Sequence, residues 1–306
     1  MAAHTPPIRR AALPLTAMRF VRLLKDSVVA WVDDAGSSMG AALAYYTLFS
    51  IAPLVLIVVS VAGLVFGVDE SRGAVVTQMA GVIGPDSAKT VEGLLQHTNR
   101  PAAGAIASVV GFVTLMIGAT SVVTELQADL DRVWRVQSSG QASSLMVLLR
   151  SRLLSFGLIL ALGFLLLVSL LMSAALTAIG TWWASVLQGW GFVLQTANVL
   201  IGFALSTVLF ALIYKILPRA RIDWSDVWIG AGVTSVLFSA GKLLIGLYVG
   251  YAGVTSPFGA AGSIVLVMVW VYYSAQIFLL GAEFTWLYAH AHGSRVGVEI
   301  PKADVR

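Results

Sequence analysis

Residues 258–285 read FGAAGSIVLVMVWVYYSAQIFLLGAEFT, and the only formal charge in that run is Glu283. At 1.5 Å rise per residue such a run makes a helix of roughly 40 Å, longer than the ~30 Å hydrocarbon core of a bilayer. A run this long and this apolar predicts a transmembrane helix, the form in which every backbone polar group is satisfied without water.

Working outward, the same criterion predicts six spans: 38–66, 102–124, 153–179, 192–217, 227–250 and 260–288. The chain of 306 residues is 58% hydrophobic and 11% charged. That much apolar surface cannot be buried in a water-soluble core, and no hydrophilic interval is long enough to form a separate domain. The expected fold class is therefore all-α: a polytopic membrane helical bundle in a single domain over 1–306.

Charge bias orients it. With the N-terminus inside, the inner segments carry Arg9, Arg10, Arg19, Arg22 and Lys25, then Arg132, Arg135, Arg150 and Arg152. They continue with Lys215, Arg219 and Arg221, then Arg295, Lys302 and Arg306. Only Arg72, Lys89 and Arg100 fall outside, and Lys242 falls within a span. Both termini are thus expected on the cytoplasmic side of the membrane. Trp182, Trp183 and Trp190 then flank the outer boundary, and Trp31, Trp134, Trp224 and Trp228 the inner one, as interface anchors. The Arg9-Arg10 pair lacks the apolar core of a cleavable signal.

Two further segments have helical patterning. Over 15–34, Phe20, Leu23, Leu24, Val28 and Trp31 share a face opposite Arg22, Lys25 and Asp26, which predicts an interfacial helix on the inner leaflet. Outside, 69–99 reads as a helical hairpin broken at Gly84-Pro85. It suits a cover over an outer vestibule, a periplasmic or envelope partner, or ordinary packing.

Signatures of soluble enzymes are missing. There is no cysteine, no phosphate-binding Gly-rich loop and no His-Glu-x-x-His, and His290 and His292 have no carboxylate cluster beside them. No metal, no cofactor and no nucleic-acid partner is expected. The informative residues are polar groups inside the membrane, since an ionisable side chain there costs about 2.5–3.5 kcal/mol on insertion scales. Lys242, roughly 22 Å from the inner end of its span, either snorkels outward or faces a cavity. Glu125 and Glu283 both fall near the inner boundary. There they either share a proton or cation or pair with Arg132, Arg135 or Arg295. In the first span, Pro53 frees the carbonyl of Phe49 while Tyr45, Tyr46, Thr47 and Ser50 supply hydroxyls, the pattern of a kinked helix or a substrate path. Gly36 and Gly40, with others spaced by four, mark close helix contacts.

Four blocks carry a resemblance: GAALAYYTLFSIAPL at 40–54, TSVVTELQADLDRVW at 120–134, LPRARIDWSDVWIGA at 217–231 and the 258–285 run. Together they resemble the YihY/BrkB family of bacterial inner-membrane proteins, in order over roughly 20–290. Phe258 stands where a common family form has tyrosine, and Asp131 where asparagine is common. The resemblance implies six helices with cytoplasmic ends, and links to serum resistance and to envelope lipid or lipopolysaccharide-precursor handling. Some relatives carry an old ribonuclease BN label, which conflicts with the absence of a metal cluster or acid-base pair on the inner loops.

The expected function is a transporter or lipid-handling protein for amphipathic substrates. Its path runs between spans one, five and six, using Tyr45, Tyr46, Ser50, Pro53, Lys242, Tyr272, Tyr273 and Glu283, with Glu125, Asp131 and Arg135 as inner-boundary charges. The alternatives are a scaffold acting through 69–99 and, behind it, a membrane ribonuclease. Membrane lipids are the expected partners, together with an envelope protein or a second copy of the chain.

Overall fold

The computed structural model describes residues 17–48, 67–83, 88–89, 92–93, 121–136, 157, 165, 168, 191–252 and 262–297. Among them every regular element is helical: α1 Ala17–Asp33, α2 36–48, α3 Val68–Ile83, α4 121–133, α5 Gly191–Ile216, α6 Trp224–Ala252 and α7 Gly262–Ala291. Three are long and apolar enough to cross a membrane, over Thr196–Ile216, Trp224–Ile245 and Val267–Ala291. They coincide within a few residues with the last three predicted spans. Most of 38–66 and 102–124 and nearly all of 153–179 lie outside the described residues, as do Ser50, Pro53, Trp182, Trp183 and Trp190. Of the 69–99 hairpin, α3 is present, and the Gly84-Pro85 break lies outside the described residues.

α7 is the central helix. In the apolar window of α7, 56% of residues are buried, against 22% in α5 and 28% in α6. It packs on α6 and on α1, and α6 packs in turn on α5. The seam between α6 and α7 is built from glycine and threonine at matching spacing. Gly230 lies under Thr285, and Gly281 under Thr234, so neither glycine has room for a Cβ. Each threonine hydroxyl donates to the carbonyl one turn back in its own helix, Thr234 to Gly230 (2.8 Å) and Thr285 to Gly281 (2.7 Å). Close approach is thereby obtained with neither threonine hydroxyl left unpaired. Higher up, Gly241 accommodates the Tyr273 ring. From α5, the fully buried Tyr214 donates its hydroxyl to Phe278 O (2.7 Å) and lies 3.0 Å from Thr234 Oγ1.

α1 is where the structure refines the sequence most. The helix is present, but Leu23 and Ser27 are buried and Phe20 meets Phe284 of α7 edge-on at 5.7 Å. Half of the predicted lipid face is thus a protein contact. The outward stripe is instead Met18, Val21, Val28, Val29 and Val32, exposed beside Arg22 and Lys25. Trp134 also departs from expectation. Predicted as an interface anchor, it is 3% exposed and belongs to the core. Trp224 and Trp228 are each 46% exposed.

Candidate functional site

Toward the C-terminal end of α7, the α1–α2 turn and the end of α4 converge on Glu283. This carboxylate is fully buried, and neither oxygen has a hydrogen-bond donor on it. The Asp34 carboxyl comes within side-chain hydrogen-bonding reach of it, and Arg135 supplies the opposing charge that acts on it. Asp34 Oδ2 is itself buried without a donor.

Both partners are held by left-handed backbone. Asp34 lies in the turn between α1 and α2, next to Ala35 at φ 57°. Arg135 ends α4 at φ 51°. There Val136 N–H donates to Asp131 O (2.8 Å) and Arg135 N–H to Arg132 O (2.9 Å), the paired bonds of a Schellman stop. Glycine normally takes the left-handed position of that motif, since a side chain costs about 1–2 kcal/mol there. Ala35 and Arg135 are the two non-glycine residues with positive φ among those described. Their coincidence with the Glu283 site fits the tendency of backbone strain to collect where side chains must be aimed.

Two reciprocal cation-π contacts fasten the same corner. The Arg135 guanidinium lies 4.4 Å from the Trp286 ring centre, and that of Arg295 lies 5.2 Å from the Trp134 ring. Arg295 also donates to Arg221 O (2.7 Å). Below, the buried Asp226 accepts from Ser294 Oγ (2.6 Å) and Ser294 N (3.1 Å), which ties the start of α6 to the end of α7. His290 Nδ1 is engaged with Trp286 O at 2.8 Å. Two turns above Glu283, Gln276 Nε2 lies 3.4 Å from Ser37 O and its side chain fills the space over Gly40.

The other residues singled out by sequence go elsewhere. Asp131 accepts the Arg219 backbone N–H (2.7 Å) and pairs with its guanidinium (3.5 Å), while Gln127 donates to Leu217 O (3.0 Å). Together they tie α4 to the α5–α6 turn. Glu125 acts on Asp129, one turn along α4, while the described carboxylate at Glu283 is Asp34. Tyr45, Tyr46, Tyr272 and Lys242 are exposed, Lys242 between Ala240 and Leu243 on an open face of α6. Counted from Trp224, Lys242 stands roughly 27 Å along α6, close to the far interface. Among the described residues no three His, Cys, Asp or Glu side chains gather as metal ligands.

Asp129 carries a pH prediction. Burial, with Glu125 beside it, pushes its carboxyl from the ordinary 3.8 up to about 7. A folded-state value above the unfolded one means that the unfolded chain ionises first, so stability falls as pH rises through that window. Asp129→Asn is expected to raise the unfolding temperature of the purified protein above the window and leave it unchanged below. A parallel pH dependence of parent and variant would refute this.

The Virulence factor BrkB family model matches residues 28–304. The chain is 28% identical over 257 residues to a UPF0761 membrane protein of Pseudomonas aeruginosa, covering 82% of this chain and 59% of that protein. It is 27% identical over 253 residues to a UPF0761 membrane protein of Psychromonas ingrahamii, with 79% of each chain covered. To a Stenotrophomonas maltophilia homologue of the same name it is 25% identical over 281 residues, covering 89% of this chain and 62% of that one. The chain thus spans about three fifths of the length of the Pseudomonas relatives it matches, 59%. No solved structure matches.

Proposed function

Because the chain belongs to the Virulence factor BrkB family of membrane proteins, we propose that it moves or handles amphipathic lipid-like substrates in a bacterial inner membrane. The observation that carries the proposal is Glu283, a fully buried carboxylate without a donor in an apolar span. A helix serving only to pack gains nothing from such a group, whose burial as an anion costs several kcal/mol, so its presence points to a use. In this reading α1 rests its outward apolar stripe on the inner leaflet, with Arg22 and Lys25 among anionic headgroups and both termini in the cytoplasm. Lys242, exposed near the far end of α6, suits a phosphate-bearing headgroup there, and Tyr272 and Tyr45 face the same hydrocarbon.

The test is reconstitution of the purified chain in vesicles carrying a fluorescent phospholipid in both leaflets, with a membrane-impermeant quencher outside. Transbilayer movement at least about tenfold faster than in empty vesicles is expected, with Glu283→Gln and Lys242→Met each slowing it. Movement no faster than in empty vesicles, for phospholipid and for a lipopolysaccharide precursor alike, would remove the reading. The protein is taken as non-enzymatic: incubation with RNA and divalent cations is expected to leave the RNA intact.

A further inference from the structure

We propose that Asp34 and Glu283 form a binding site for a single proton, held between two carboxyl groups at the junction of α1, α2, α4 and α7. Charge balance leads to this. Among the described residues, the empty site holds two carboxylates against one guanidinium, a net charge of minus one around the fully buried Glu283. One proton brings it to neutrality and joins one Glu283 oxygen to Asp34 Oδ2, two of the three buried oxygens that lack a donor. A metal ion fits less well, since a hard cation takes six or so oxygens at short range. Two carboxyl groups fall short of that, and among the described residues no third acidic or histidine ligand joins them.

Among the described residues, few charged and titratable groups face Glu283. The α1–α2 turn contributes Asp34 and the end of α4 contributes Arg135. From α5 comes the Tyr214 hydroxyl near Gly281, already donating to Phe278 O. From α6 comes Asp226, which is saturated by Ser294 farther down. On α7 itself His290 is turned to Trp286 O. Only Asp34 is without a committed donor, so the proton is localised to the pair.

Occupancy has a mechanical consequence. Loss of the proton sets two carboxylates against each other across the α1–α2 turn, where Ala35 is already in left-handed backbone. Release therefore drives the turn away from α7, and uptake closes it. This use of the proton rests on the transport reading. Occupancy does not, and it is read with no substrate present.

The experiment is infrared spectroscopy of the full chain in lipid nanodiscs near neutral pH, in an Asp129→Asn background to remove the other carboxyl expected to be protonated there. One protonated-carboxyl band is expected, lost in Glu283→Gln and equally in Asp34→Asn, because either change leaves one carboxylate neutralised by Arg135. Exchanging choline for sodium should leave the band in place. Should a variant fail to fold, isotopic labelling of the glutamate or aspartate carboxyl carbon in the unsubstituted pair must shift the same band. No band, a band that survives both substitutions or shifts with neither label, or one displaced by sodium would overturn the proposal. A chain that shows the band but moves no lipid would overturn the transport reading alone.

Discussion

Gly281→Leu is expected to prevent the bundle from assembling. A Cβ at 281 falls inside the Thr234 hydroxyl and 2.7 Å from Tyr214 Oη, and neither can retreat. Thr234 is tied to Gly230 O and Tyr214 to Phe278 O, at 2.8 and 2.7 Å. Overpacking of this kind costs about 1–3 kcal/mol for a single carbon and more for a branched chain against backbone-bonded neighbours. Little monodisperse protein should be recovered from detergent. Gly281→Ala should fold with a clearly lowered unfolding temperature, and adding Thr234→Ala should restore at least about half of the loss by removing the obstructing hydroxyl. If Gly281→Leu unfolds at the parent's temperature, the tight α6–α7 seam is wrong.

Arg135→Gly separates backbone from charge. Glycine relaxes the left-handed Schellman position by about 1–2 kcal/mol, so a purely structural view expects stabilisation. The opposite is expected here, a net loss of roughly 2–4 kcal/mol, because removing one partner of a buried charge group leaves the other uncompensated. The contact with Trp286 at 4.4 Å is lost with it. Combining Arg135→Gly with Asp34→Asn and Glu283→Gln together should recover most of the stability, since no carboxylate then remains to be balanced. Thermal unfolding of Arg135→Gly, of the Asp34→Asn/Glu283→Gln variant and of the three changes combined gives the coupling. Additive losses would mean that Arg135 serves only the turn and Trp286.

What sequence disclosed about the fold was what hydrophobic length controls. The last three spans follow from uncharged runs, and the amphipathic pattern of α1 follows from its period. Periodicity cannot say which apolar face meets lipid and which meets another helix, because the two are equally apolar. For that reason Leu23 and Trp134 were expected at interfaces and are found in protein. The α6–α7 seam had a signal, Gly-x-x-x-Thr in both helices, that a search for paired glycines passes over. Glu283 and Arg135 stood out as charges near an apolar span. Asp34 did not, because an acid at the end of a surface helix is commonplace, and only the turn at Ala35 brings it to α7. Asp131, expected only as a charge at the inner boundary, is an ion-pair partner of Arg219 at 3.5 Å.

The contact between α1 and α7 joins distant parts of the chain: Gln276 and Ser37, which meet across it, are 239 residues apart. At translation rates of roughly 5–20 residues per second, something like 12–50 seconds separates their synthesis. During that interval the first helix is complete while the surface that will receive Phe20 and Leu23 does not yet exist. In the topology proposed above, the inner leaflet is the natural shelter for both apolar sides of α1 until α7 arrives. That reading makes the transfer of one helix face from lipid to protein a late step of maturation, the step that delivers Asp34 to Glu283. Ribosome-stalled chains lacking α7 should accordingly leave α1 open to cytoplasmic protease, and completion of the last span should close it.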